Sequence, residues 1–306
     1  MKTTTAIGRV LAGVGAVGAG CIAYGTLIEK NHFRLRHARV PVLPAGHSPI
    51  RVLHLSDLHL TSSQKKKMEW VRGLAAVRPD FIVNTGDNLS CADALGALGR
   101  TLAVFDGVPG VFVLGSNDYY GPRPVNPLKY LLPAKPSREG KTLPTQALIA
   151  LFTSLGWDNA EQNPLVHDQL VYDINGTTLE VRGCGDAHMG ADDYPGGMGE
   201  SSAELLIGVT HAPYLALLDQ MVDDGAGLIL AGHTHGGQVC LPGGRALTTN
   251  CDLPPARARG LSIYRHGPRQ AYLHVSAGLG TSPYAPYRFA CPPEATLLTL
   301  EARPEI

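Results

Sequence analysis

The chain has 306 residues, 44% hydrophobic and 17% charged, which is enough apolar content to bury one large α/β domain and excludes a disordered polypeptide. Twenty-six Lys and Arg balance 26 Asp and Glu, and only 6% of residues are aromatic, so neither bulk attraction to a phosphate backbone nor a base-stacking platform is indicated and nucleic acid is disfavoured as a partner. The six cysteines are dispersed with no C-x-x-C pair, which supports neither a disulfide scaffold nor a zinc knuckle.

From the amino terminus, residues 1–28 read as a hydrophobic anchor. Val10 to Ile28 carries no charge and is dominated by Val, Ala, Gly, Leu and Ile. At about 1.5 Å per residue the run just spans a bilayer core of about 30 Å. Ala12, Ala16 and Gly20 recur four apart, as in helices that pack closely in membranes. The alternative is a secretory signal with Lys2 and Arg9 as its basic flank, but no small-x-small cleavage site follows. The expected location is the cell membrane, held by a single amino-terminal pass. Basic residues on both sides of the run (Lys2 and Arg9 before; Lys30, Arg34, Arg36 and Arg39 after) leave the membrane face open. Residues 29–50, with Pro41, Pro44 and Gly46, read as a juxtamembrane linker, and 51–303 as the folded body.

In the body, short apolar runs alternate with helical stretches. Val52–Leu55 is a buried strand, and a helix over 66–77 stops before Pro79. Phe81–Val83 is the next strand, a helix covers 92–105, and Val111–Leu114 is the third strand. This β-α-β-α-β order predicts parallel pairing with helices over the sheet. Residues 121–145 hold Pro at six positions and read as a long surface loop or lid. Leu170–Val181 alternates around Asn175-Gly176 and predicts a hairpin, while Leu206–Val209 and Leu228–Ala231 are two more buried strands.

Metal-competent side chains fall at the ends of these strands. Asp57 and His59 follow the first, Asp87 the second, Asn117 and Asp118 the third, His211 the fourth, His233 and His235 the fifth. Ligands of open α/β sheets bind outside the carboxyl ends of the strands, so these segments deliver carboxylate and imidazole groups to one edge. A lone D-x-H is usually structural; its joint occurrence with the other strand-end residues is what points to a metal site. A mixed Asp and His set suits Mn, Fe or Zn.

The set Asp57-Leu58-His59, Gly86-Asp87, Gly115-Ser116-Asn117-Asp118, Thr210-His211-Ala212-Pro213 and Gly232-His233-Thr234-His235-Gly236-Gly237-Gln238 resembles the calcineurin-like metallophosphoesterases. It is most similar to the bacterial membrane-associated branch that includes enzymes acting on lipid-linked sugar phosphates. The resemblance runs from Arg51 to about Leu300. It implies a four-layer α/β/β/α sandwich and two divalent metal ions at the strand ends. Asp57, His59 and His235 would hold the first, His211 and His233 the second, and Asp87 would bridge them. The implied reaction is phosphoester or phosphoanhydride hydrolysis by a metal-bridging hydroxide.

The third motif departs from the family pattern Gly-Asn-His-Asp/Glu, in which Asn ligates the second metal and His assists catalysis. Either the Ser116 hydroxyl ligates and Asn117 donates to phosphate, or the loop shifts and the Asn117 carbonyl reaches the metal. An amide oxygen is the better donor to a hard cation, so Asn117 is the preferred ligand. In both cases the imidazole that would protonate a leaving group is missing, and Asp118 has lost the residue it would orient. Asp118 then binds metal, holds the loop or caps the next turn.

Asp186 and His188 repeat the D-x-H spacing within a glycine-turned loop, with either a role around the substrate or none. Lys65-Lys66-Lys67 stands either at lipid headgroups or on a solvated helix start. The leading function is a membrane-associated, binuclear metal-dependent phosphohydrolase acting on a phosphorylated small molecule or lipid. The alternative is a catalytically weakened metal-binding sensor or scaffold at the membrane. The sequence leaves the oligomeric state open.

Overall fold

The computed structural model describes residues 2–123, 140–161, 170–192, 194 and 201–304, with side chains from Leu11 onward. Helix α1 (Lys2–Ala23) runs on through a π turn (Tyr24–Ile28) and a 3₁₀ turn (Glu29–Asn31). The 21 residues from Leu11 to Asn31 have a mean hydropathy of 1.7 and are long and apolar enough to cross a membrane. Leu11, Val14, Val17, Ile22 and Leu27 are all exposed, so this helix is not part of the protein core.

The first strands are β1 (Arg34–Leu43), β2 (Ile50–Leu55), β3 (Phe81–Asn84), β4 (Gly110–Phe112), β5 (Trp157–Asn159) and β6 (Leu170–Ile174). They are followed by β7 (Thr177–Cys184), β8 (Leu205–Thr210), β9 (Leu228–Ala231), β10 (Gly260–His266), β11 (Arg269–Val275) and β12 (Glu294–Ala302). One six-stranded sheet has the order β1-β12-β2-β3-β4-β5, the other β10-β11-β9-β8-β7-β6. Strands β2, β3, β4 and β5 are parallel, as are β7, β8, β9 and β11, so in each sheet four carboxyl ends emerge on one edge.

Alternation along the strands builds the layers. On β2, Val52 faces the other sheet, where it joins Phe81, Val83, Val181, Ile207 and Leu230; its neighbours Leu53 and Leu55 face outward. The outward face of the first sheet is covered by α2 (Lys65–Gly73), α3 (Leu95–Leu102) and α5 (Thr145–Ser154), the short α4 (Ser116–Tyr119) lying between the last two in sequence. The outward face of the second is covered by α6 (Leu215–Asp223), whose Leu218 and Met221 meet Ile229 and Leu273. The result is the expected four-layer α/β/β/α sandwich. Because both sheets are buried on both faces, their central strands are continuous apolar runs.

The 29–50 segment is not merely a linker. Residues 34–43 form β1, which pairs in parallel with β12 over nine residue pairs, and Val40 and Val42 enter the core between the sheets. As an edge strand β1 also carries solvent-facing arginines: Arg36 pairs with Glu294 at 2.9 Å and Arg39 with Glu301 at 3.4 Å. Those charges gave the segment the composition of a linker. Of the Pro-rich stretch, residues 124–139 lie outside the described residues; its two ends meet where Gly121 N–H bonds Lys141 O at 2.8 Å.

Candidate metal centre

The carboxyl ends of the two sheets converge on one cluster of carboxylates and imidazoles. In its first half, ligand atoms of Asp57, His59, Asp87 and His235 all lie within 4.8 Å of one another. His59 Nε2 is 3.2 Å from His235 Nε2 and 3.3 Å from Asp87 Oδ2, and His235 Nε2 is 3.7 Å from Asp57 Oδ1. The second half is centred on His211 Nε2, which lies 3.2 Å from His233 Nδ1 and 3.7 Å from Asp87 Oδ1. Donors placed about 2.0–2.2 Å from one cation are themselves about 3.0–3.4 Å apart, so both halves have nearly the spacing of a coordination shell. Asp87 turns one oxygen to each half.

Some polar atoms of the cluster have no protein partner. Asp57 Oδ1 and His233 Nε2 are buried without a hydrogen-bond partner, a costly state for polar groups unless a ligand completes them. The backbone is also strained at this spot. Asp57 (φ 48°), His59 (φ 41°), Asp87 (φ 56°), His233 (φ 68°) and His235 (φ 49°) all occupy the left-handed region that non-glycine residues avoid. Each such residue costs of order 1–3 kcal/mol, and such strain collects at functional sites.

Burial keeps most of the imidazoles neutral, with a lone pair to offer. His59 and His235 are held well below the ordinary histidine range by desolvation, helped by neighbouring cations and imidazoles, and His233 is pushed down to about 3 by burial and by His211. His211 differs: burial opposes its charge, but Asp87, Asp186 and Asp57 together raise it to about 9. Its Nδ1 donates to the Thr85 carbonyl at 2.6 Å, which turns Nε2 toward the cluster. Burial raises Asp87 to about 6, with His211 pulling it down and Asp57 pushing it up.

The third motif surrounds Asp87. Asn117 donates its backbone N–H to Asp87 Oδ1 at 2.8 Å and its amide to Asp87 Oδ2 at 2.9 Å. Ser116 donates its N–H to Asp186 Oδ2 at 3.0 Å. Asp118 is buried and accepts the N–H groups of Asp87, Asn88 and Gly115, so it holds the loops together. Gly115 leaves no room for a side chain without a shift of its neighbours, because a Cβ there would stand on Asp87 Oδ1 and 2.5 Å from His211 Cε1.

Supporting residues appear that strand-end reasoning does not reach. A buried chain links His274 Nδ1 to His54 Nδ1 (2.9 Å), His54 Nε2 to Thr85 Oγ1 (3.0 Å), Thr85 to Ser56 (2.7 Å) and Ser56 to Asp57 Oδ2. His54 is a polar break in an otherwise apolar strand, a signal that could have marked it; Arg288 gave none. Its buried guanidinium donates to the carbonyls of Ala277 (2.7 Å), Gly278 (3.1 Å) and Gly280 (2.7 Å) and lies 3.4 Å from His235 Nδ1. The foot of the apolar helix docks beside it. Glu29 accepts the N–H groups of Ala290 (3.0 Å) and Cys291 (2.6 Å). A pocket of about 390 Å³ joins that foot to the cluster, lined by Lys30, Asn31, His59, Lys65, Lys66 and Gly280. Lys67 is not part of a solvated face; it is buried and donates to Leu58 O at 2.6 Å.

Residues 50–237 match the family model described as calcineurin-like phosphoesterase. Among curated proteins, the uncharacterized protein YpbG of Bacillus subtilis is 27% identical over 98% of this chain and 98% of its own. The uncharacterized metallophosphoesterase YkuE of Bacillus subtilis is 24% identical, covering 96% of this chain and 94% of its own. The UDP-2,3-diacylglucosamine pyrophosphatase LpxG of Chlamydia muridarum is 27% identical over 89% of this chain and 90% of its own.

Proposed function

Because the chain belongs to the calcineurin-like phosphoesterase family, and so is a metal-dependent phosphoester hydrolase, we propose that it holds two divalent cations around Asp87 and hydrolyses a phosphorylated amphiphile at a membrane. Asp57, His59 and His235 hold one cation, His211 and His233 the other. The observation that carries this reading is that Asp87 divides its carboxylate, Oδ2 at 3.3 Å from His59 Nε2 and Oδ1 at 3.7 Å from His211 Nε2. Bound divalent cations supply a water activated near neutral pH and neutralise charge on the attacking and leaving oxygens.

The protein's own residues do the rest. Asn117 fixes both oxygens of Asp87, and Asp118 fixes the backbone of the loops that carry Asp87 and Asn117. Lys65 and Lys66 are exposed at the mouth of the pocket beside His59 and attract an anionic headgroup. The apolar helix ends at that mouth, with Glu29 tying its foot to the loop of Arg288. An anchor placed there holds the pocket next to the bilayer. The pyrophosphatase relative supports a lipid-linked anhydride as substrate.

The test is to measure metal content per chain and to compare turnover of bis(p-nitrophenyl) phosphate with that of a lipid-linked pyrophosphate in mixed micelles. Two cations and preferential turnover of the lipid anhydride are expected. Two cations with no turnover of any ester or anhydride would leave a scaffold rather than this enzyme.

A further inference from the structure

The loop after β7 brings a carboxylate into the second half of the cluster. Cys184 on β7 is paired with Thr210 on β8, so Asp186 and His211 emerge side by side just beyond the paired strand ends. Asp186 is fully buried, and its Oδ2 lies 3.8 Å from His211 Nε2, nearly as close as Asp87 Oδ1 at 3.7 Å. The same oxygen accepts the N–H of Ser116, the residue that stands where the family carries a ligating Asn. Its other oxygen is held by the backbone N–H and the Nδ1 of His188, both at 2.9 Å. His188 therefore orients the carboxylate with Oδ2 toward His211. Ligand atoms of Asp186, His188 and His233 lie within 4.8 Å of one another, and His233 Nε2 is a buried nitrogen with no hydrogen-bond partner.

We propose that Asp186 is a direct ligand of the second cation, occupying the coordination place that Ser116 leaves vacant, with His188 as its positioning residue. The inference rests on the two-cation reading above. A neutral donor from the third motif is replaced by an anionic one from a different loop. The second cation is then held by the carboxylates of Asp87 and Asp186 and the imidazoles of His211 and His233. A hard carboxylate oxygen is a stronger ligand for such a cation than a serine hydroxyl.

The experiment is a Mn²⁺ titration of the full-length protein and its Asp186→Ala and Asp186→Asn variants, read by calorimetry and by electron paramagnetic resonance. Asp186→Asn keeps an acceptor for the Ser116 N–H, so it decides the matter if Asp186→Ala does not fold. The wild type is expected to bind two Mn²⁺ and give an exchange-coupled spectrum. Asp186→Ala should keep the first ion and bind the second at least ~100-fold more weakly, with the spectrum of isolated Mn²⁺, since losing an outer partner of a ligand alone costs about 10–100-fold. Asp186→Asn, whose amide oxygen can still ligate but carries no charge, should bind the second at least ~10-fold more weakly. Variants that bind two Mn²⁺ with wild-type affinity and a coupled spectrum overturn the role of Asp186 while leaving the two-cation reading intact. A wild-type protein that binds fewer than two overturns both.

Discussion

The carboxylate of Asp118 accepts the backbone N–H of Asp87 at 2.8 Å, so the acidic residue that closes the third motif grips Asp87 from behind. It also accepts the N–H of Asn88 at 2.7 Å and of Gly115 at 3.1 Å. Replacing it with Asn turns an amide N–H₂ toward backbone N–H groups that then lack an acceptor. Asp118→Asn is expected to lose about 1–3 kcal/mol of stability for each group so stranded. Its turnover should fall about 10–100-fold through the displaced Asp87. Thermal melts together with steady-state kinetics check this; a variant with wild-type kcat would show that Asp87 does not depend on that grip.

Gly115 is the point where the loop of the third motif touches the donors. A methyl group there meets Asp87 Oδ1 and the His211 ring. Overpacking of this kind costs about 1–3 kcal/mol. Gly115→Ala is therefore expected to bind its second Mn²⁺ about ten- to hundredfold more weakly while keeping the fold, measured by metal titration and circular dichroism.

Asn117 stands where the family motif has an imidazole, and its amide is engaged with Asp87. General acid catalysis is worth about 10²–10⁴-fold, so substrates that need a protonated leaving group should suffer by about that factor against aryl esters and anhydrides. A leaving-group series should give a steep dependence of kcat/KM on leaving-group pKa. Asn117→His should flatten it.

Glu161 supplies a pH dependence that can be isolated. Burial raises its carboxyl to about 7, only partly offset by the Leu114 N–H that it accepts. The unfolded chain has an ordinary value of about 4.3. The protonated form is therefore favoured by folding, and its contribution, complete below about pH 4, is lost as pH rises through about 7. Neutral Glu161→Gln has no such loss. Urea unfolding should show the variant gaining on the wild type by about 1–3 kcal/mol between pH 5 and pH 8.

Lys65 and Lys66 are exposed at the pocket mouth. Each lysine near an anionic surface is worth about 1 kcal/mol. The double change to Ala should raise KM about 10–30-fold for substrate in anionic mixed micelles and leave soluble bis(p-nitrophenyl) phosphate unaffected.

Much of this architecture was legible because buried parallel strands announce themselves as apolar runs. Val52–Leu55, Phe81–Val83 and Leu228–Ala231 each end two to four residues before a member of the cluster (Asp57, Asp87, His233), and the predicted hairpin lies at Leu170–Cys184. Arg34–Leu43 was hidden because an edge strand wears charges on its open side, and its partner β12 lies more than 250 residues away in sequence. The position of Asp186 was equally hidden. Its D-x-H spacing was plain, but its approach to His211 depends on the register of β7 against β8, which local pattern does not encode. Arg288 shows the same limit, since what it holds is a set of backbone carbonyls with no side-chain signature.

The proposed hydrolase requires Asp87 to serve two cations at once. Crystals of the protein loaded with Mn²⁺ and phosphate, measured at the manganese edge, test that directly. The prediction is two anomalous peaks about 3.5–4 Å apart, one on each side of the Asp87 carboxylate. A lone peak, or a pair not bridged by Asp87, would contradict it.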